Sequence, residues 1–310
     1  MNCVATALRN DNSIVTMSSI EIRLCKTWEE CLQCEHVQQI VWGMPNSSDT
    51  VPAHFLITAI KNGGLLVGAF EKNEMIGFAF GFLGSEGQGA ARRLKHTSHM
   101  LGVLPTARAK GLGAALKWQQ RAEALKQGLD LMTWTYDPLQ AVNAQLNLSR
   151  LGTIARRYIR DAYGEMTDAL NAGIASDRFE VEWYLASPRV AARETEAQPH
   201  QAKLLADAQF IYHVEWDAGS FPIIIEERDL AGDVLLIEIP ADTNALKAHN
   251  LDLAKQWRER TRSTFERAFQ NGYIASDVHR TTDEQGHIRV FYLLNRTIQD
   301  PSGLQRPEGS

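Results

Sequence analysis

Cysteine is scarce: four residues in 310, and Cys3, Cys25, Cys31 and Cys34 all precede Glu35. A disulfide framework would spread its cysteines along the chain. Cys31 and Cys34 form a Cys-x-x-Cys pair, but zinc needs a second pair and a redox dithiol belongs at a helix N-terminus. These are read as packing cysteines, and no metal is expected. Positive charge is not in excess either: 32 Lys and Arg stand against 37 Asp and Glu, for a net charge of −5. Nucleic acid and anionic membranes are therefore poor partners. No apolar run reaches transmembrane length. Residues 1–17 lack a basic segment followed by an apolar core, so the expectation is a cytoplasmic protein with reduced thiols.

Two common phosphate-binding patterns are also missing. The P-loop needs Gly-Lys-Ser/Thr, which the chain lacks. The run Gly111-Leu-Gly113-Ala-Ala-Leu116 lacks the third small residue of a dinucleotide fingerprint, and Leu131–Tyr136 carries no acid for a ribose. What is present is Arg108-Ala109-Lys110-Gly111-Leu112-Gly113. It follows an apolar strand, His96 to Pro105, and opens a helix that reaches about Gln127. Two glycines at a helix entry let the backbone curl and leave the first amides free. With the helix dipole they make an anion site, and Arg108 and Lys110 add positive charge beside it. Gly128 ends that helix, Leu131–Tyr136 is the next strand, and Pro138 to Leu148 starts a further helix.

In Arg-x-x-Gly-x-Gly between strand and helix, with a strand and Asn143 following, the chain resembles the GNAT acyltransferase superfamily. The resemblance implies a mixed twisted α/β (α+β) sheet flanked by helices. It implies that Arg108, Ala109, Lys110, Gly111, Leu112, Gly113 and Ala114 hold the pyrophosphate of coenzyme A. The strand through Leu101, Gly102 and Val103 would splay from its neighbour and pair with the pantetheine arm, and Asn143 would reach the same arm. The phrases Ser98–Val103, Thr133–Pro138 and Asp177–Trp183 resemble a branch of predicted bacterial acetyltransferases. Its relatives suggest acyl groups as large as succinyl.

The family pattern is also broken in two places. Its general base is often a carboxylate on the central strand, yet none lies between Glu86 and Glu123. His99 and His96 are the substitutes, with a structural histidine as the alternative. Strict alternation would put His96, Ser98 and Met100 on one face and Thr97, His99 and Leu101 on the other. The family's tyrosine acid falls at Leu148, which leaves Tyr158 and Tyr163 as downstream candidates or simply packed aromatics. Lys117 is read as a 3′-phosphate contact or an exposed lysine. Asp177 and Arg178 are read as an acceptor contact or an exposed ion pair. Trp42, His54 and Phe55 are read as one wall of the acceptor site or as core aromatics.

The length suits two domains. Residues 1–17 read as a tail, 18–187 as the GNAT-like domain, 188–201 as a linker, 202–300 as a C-terminal α/β domain and 301–310 as a second tail. In the first domain Thr27 and Glu30 form a capping box for a helix to about Trp42, with Leu32, Val37, Ile40 and Val41 toward the core. Glu71–Glu74 is a hairpin turn. In the second, Asn250 caps a helix from Leu251 to Gln270, and Trp257-Arg-Glu-Arg260 with Arg262 reads as a solvated basic face. Strand–Pro, helix, Gly, strand repeats the earlier order, which suggests a degenerate copy without coenzyme A. The functional expectation is an acyl-CoA-dependent N-acyltransferase, using acetyl-CoA or a larger acyl-CoA on a small primary amine or amino acid. The alternative is a non-catalytic acyl-CoA-binding module. A homodimer is possible.

Overall fold

The computed structural model describes residues 20–43, 50–164, 173–195, 205 and 207–296. The two expected tails, most of the Gly43–Thr50 loop and the second half of the expected linker lie outside them. One 11-stranded sheet runs through the molecule in the order β1-β2-β3-β4-β5-β7-β6-β12-β13-β11-β8. The first half supplies β1 (Ile20–Leu24), α1 (Trp28–Trp42), α2 (Ala53–Lys61), β2 (Leu65–Glu71), β3 (Glu74–Glu86), β4 (Arg93–Val103), α3 (Leu112–Lys126) and β5 (Leu131–Tyr136). A short helix, α4 (Ala141–Ala144), continues as a π-helical turn over Gln145–Arg150, before β6 (Ile154–Ile159) and β7 (Arg178–Tyr184). The second half supplies α5 (Pro188–Thr195), β8 (Gln209–Phe210), β9 (Tyr212–Trp216), β10 (Pro222–Glu227), β11 (Val234–Ile239), α6 (Thr243–His249), α7 (Leu251–Gln270), β12 (Ile274–Thr282) and β13 (Ile288–Asn295).

Local sequence explains much of this. β2 and β3 are continuous apolar runs because helices cover both faces: α1 and α2 pack on Phe78 and Phe80, and α3 packs on Val67, Ala69 and Ala79. Lys72 and Asn73 take positive φ (52° and 70°), so Glu71–Glu74 closes as a two-residue hairpin turn. The capping box is formed, with Glu30 N donating to Thr27 Oγ1 at 3.2 Å. Along α1 the buried face is Cys31, Cys34, Val37 and Gln38, while Leu32 and Ile40 are exposed. The cysteines thus take core positions expected for leucine and isoleucine.

The first seven strands run antiparallel through β1–β4, take one parallel step from β4 to β5, and have β7 inserted between β5 and β6. The connection β5, helix, β6, β7 recurs as β11, helices, β12, β13, with β13 inserted between β11 and β12. β8 lies parallel to β11 as β4 does to β5. Where α3 joins β4 to β5, a β9–β10 hairpin joins β8 to β11. The halves meet edge to edge at Ala155 and Ala275, and one core joins Leu148, Phe179 and Val181 to Trp257, Phe265 and Tyr292.

Residues 188–195 are not a linker. They form α5, with Val190 buried and Arg193 bonded to Ser149 O (2.8 Å) and Asp277 (2.7 Å). The basic segment of α7 is not a solvated face either. Arg258 is buried on Asp137 (2.6 Å) and Arg262 grips Asp177 (2.7 and 2.9 Å).

Candidate active site

β4 and β5 pair at two positions only, His96 with Met132 and Thr97 with Thr133. Beyond Thr97 they part. β4 continues to Val103 paired with β3 alone, and β5 continues to Tyr136 paired with β7 alone. Six residues of β4, Ser98–Val103, therefore present a free edge about 20 Å long at ~3.3 Å per residue. Every second residue there turns an N–H and a C=O into the opening.

The opening ends at a glycine turn. Pro105–Lys110 form a 3₁₀ turn, and Gly111 enters α3 at φ +72°, with open space where a Cβ would stand. Positive φ is what glycine is for. No side chain caps α3, so its first amides keep their capacity for an anion. Arg108 lies exposed and donates to Val103 O at 3.3 Å, tying the turn to the end of β4. The backbone of Ala109 and Lys110 belongs to this turn. Leu112 is buried, Gly113 approaches Leu101 and Leu146, and Ala114 follows in the first turn. Asn143 is exposed on α4. Leu101, Gly102 and Val103 thus lie on the free edge of β4, and the Arg108–Ala114 run lies at its end.

Strict alternation fails on β4. The register passes from Phe80–Met100 to Gly81–Ser98, leaving His99 as a bulge. Two residues oppose one, and the strand's faces exchange there. His96 and Ser98 face α3, as do Leu101 and Val103 beyond the bulge. Met100 instead faces α1 and α2, and His99 packs against Phe80 (6.4 Å) and Phe82 (6.0 Å) on the same side. That desolvation lowers the pKa of His99 below the ordinary histidine value. Its unprotonated form, which is able to take a proton, is thereby favoured.

His96 is different. It is fully buried, its Nε2 lies 3.2 Å from Gln120 Nε2, and burial and then Lys117 lower its pKa to about 3. Lys117 is not exposed. It is 2 % exposed, with Nζ at 2.8 Å from both Ser98 Oγ and Gln120 Oε1, and 3.6 Å from the centroid of the Trp134 ring. Burial lowers its pKa well below the usual lysine value. Ser98 and Trp134 are the first residues past the last β4–β5 pair, so this amine sits beneath the fork. Chain spacing alone gave no sign of it, because a lysine on a helix reads as exposed and only the tertiary contacts bury it.

The tyrosine candidates separate. Tyr158 donates to Asp177 Oδ2 at 2.6 Å and stacks near Phe265, two strands from the opening. Burial raises its pKa. Asp177 is fully buried between Tyr158 and Arg262, which removes it as an exposed ion pair or an acceptor contact. Arg178 is buried too and donates to Asp177 O at 2.9 Å. Tyr163 reaches over β5 instead, with its OH 2.7 Å from Thr135 Oγ1 and its ring 55 % exposed. Leu148 is buried in the shared core, inside the π-helical turn. Of the expected acceptor wall, Trp42 packs on Phe78, while His54 and Phe55 are exposed.

Neither a protein-family model nor a curated protein matches the chain. Solved structures do. It is similar to the ribosomal-protein-S18-alanine N-acetyltransferase from Escherichia coli, at 16 % identity and TM-score 0.41 over 54 % of this chain and 94 % of that one. It is similar to an acetyltransferase of the GNAT family from Streptococcus pneumoniae, at 14 % identity and TM-score 0.40 over 53 % and 97 %. It is also similar to an aminoglycoside acetyltransferase from an uncultured soil metagenomic sample, at 14 % identity and TM-score 0.36 over 41 % and 84 %. TM-scores this low carry no weight in assigning an activity. Among the described residues no His, Cys, Asp and Glu cluster could hold a metal, and no helix is long and apolar enough to cross a membrane.

Proposed function

We propose that this protein is an acyl-CoA-dependent N-acyltransferase acting on a small primary amine. The observation that carries the reading is the fork: β4 leaves β5 after Thr97, and its free edge runs to an uncapped helix entered through Gly111. The amides of Leu112, Gly113 and Ala114 and the charge of Arg108 suit a pyrophosphate. The free edge at Leu101–Val103 suits the amide-bearing arm of coenzyme A, and Asn143, exposed on α4, would reach the same arm. Backbone N–H groups there would polarise the thioester carbonyl.

In this reading the neutral amine attacks the thioester carbon directly. The C–N bond forms, the C–S bond breaks, and the thiolate leaves. The amine's proton passes to His99, which the bulge turns to the face where α1, α2 and Tyr163 lie. The cytoplasm, where acyl-CoA is made and used, is the proposed compartment, and a homodimer remains a proposal.

A second reading is a non-catalytic acyl-CoA-binding module. It is favoured by Leu148, which places a hydrocarbon where the family carries its acid. Thiol release from acetyl-CoA and succinyl-CoA with an amine panel separates the two. Turnover supports the enzyme. Binding without turnover across the panel supports the module.

A further inference from the structure

On the α1/α2 face, both lips of the fork are aromatic. Thr97 opposes Thr133 in register, so Thr133 and Thr135 share the face opposite His96 and Ser98. One lip is built on β3, β4 and α2. Phe80, fully buried, is the floor, with Phe55 at 6.3 Å, Phe82 at 6.3 Å and His99 at 6.4 Å around it. Phe55 is 47 % exposed, and His99 also reaches the surface. The other lip is Tyr163, fixed over β5 by its bond to Thr135 and lying 5.3 Å from the Arg178 guanidinium carbon.

The charges beside these rings are already matched. Glu86 has Arg93 at 2.7 Å and Lys95 at 3.7 Å. Glu180 has Arg157 at 2.6 Å and Lys95 at 3.9 Å, and Glu182 has Arg156 at 2.8 Å. A polycationic acceptor needs carboxylates without such partners. Apolar surface left at the mouth of a site favours a ligand that covers it. An aromatic mouth also desolvates an incoming ammonium ion, which lowers its pKa and favours the neutral amine that attacks.

We propose that the acceptor is a small primary amine bearing an aromatic ring, held between Phe55 and Phe82 on one lip and Tyr163 on the other, with its nitrogen toward His99. This rests on the acyltransferase reading. The test uses the full chain and acetyl-CoA, with 2-phenylethylamine, tryptamine, spermidine, kanamycin and an alanyl peptide as acceptors. Coenzyme A binding is measured in parallel by calorimetry. The aromatic amines should exceed spermidine, kanamycin and the peptide in kcat/KM by about tenfold or more. Phe55→Ser should raise KM for 2-phenylethylamine about tenfold, with coenzyme A affinity unchanged. Tyr163→Ser, which removes the ring from the other lip, should raise it as well.

Preference for spermidine, kanamycin or the peptide would overturn the acceptor class and leave the acyltransferase standing. Unchanged KM in folded Phe55→Ser would overturn the lip. If coenzyme A binds but nothing turns over, titration of 2-phenylethylamine into the coenzyme A complex decides, and no heat overturns the proposal. Failure to bind coenzyme A would remove the acyltransferase reading itself, and the acceptor with it.

Discussion

At the scale of single residues, burial sorts the titratable groups. His99 packs against Phe80 and Phe82, and desolvation lowers its pKa below the ordinary 6.5. A general base works in its unprotonated form, so turnover should be flat above pH 6.5 and fall as pH drops through the lowered pKa. His99→Ala should cut kcat by about 10²-fold or more and remove that acidic limb, with coenzyme A affinity preserved. A kcat–pH profile of both proteins checks it, and an identical limb in the variant would exclude His99. Lys117 is the opposite case. Its ammonium form has no carboxylate partner among the hydrogen bonds described, and Ser98 Oγ still donates to Gln120 Oε1 at 3.0 Å without it. Because the folded protein depresses its pKa, the unfolded chain binds the proton first and stability is lost as pH falls below the unfolded value near 10.5. Lys117→Met, similar in volume, should therefore leave stability at pH 7 unchanged or raised. Urea denaturation measures it, and a large loss would mean the amine's bonds to Ser98 and Gln120 outweigh its burial.

At the scale of elements, the strand, glycine turn and helix around Gly111 were legible in the sequence, because glycines, flanking apolar runs and caps are local signals. So were the capping box at Thr27, the Glu71–Glu74 hairpin and the Asn250 cap, where Leu253 N donates to Asn250 Oδ1 at 3.0 Å. The bulge at His99 was not. It depends on the register against β3, and it reverses the facing of every β4 residue beyond it. The π-helical turn over Gln145–Arg150 was equally silent, and it carries Asn147 and Leu148 inward. Asn147 Oδ1 accepts from Trp134 Nε1 at 3.3 Å, so this turn braces the β5 side of the fork. Leu148→Tyr should destabilise by about 1–3 kcal/mol rather than supply an acid, since the site is fully packed. Thermal unfolding with an activity assay tests both halves of that statement. A stable and faster variant would show that the turn opens toward the fork.

At the scale of the molecule, the two halves are joined by charge buried between them. Arg193 of α5 spans Ser149 O of the first half and Asp277 of the second, and Asp277 also accepts from Ser149 Oγ at 2.6 Å. This contact lay in a stretch whose Ala, Glu and Arg composition reads as a linker. Composition reports solubility, and here one buried arginine decides the packing. Arg193→Met leaves Asp277 buried without its cation and should cost about 3–5 kcal/mol. Chemical denaturation should show one cooperative transition moved to lower denaturant. A loss of under about 1 kcal/mol would mean that the pair behaves as an exposed one. The shared core of Leu148, Phe179, Trp257 and Phe265 packs the second half against the first half's β7.

The most direct measurement is calorimetric titration of coenzyme A into the wild-type protein and into Gly111→Asp. The wild type should bind with a Kd on the order of micromolar. The variant should fold, because the Cβ meets open space and aspartate tolerates positive φ, yet lose the affinity to the charge it sets against a phosphate. Equal affinity in the two proteins, or no binding of coenzyme A by the wild type, would contradict the fork and its glycine turn as an acyl-CoA site.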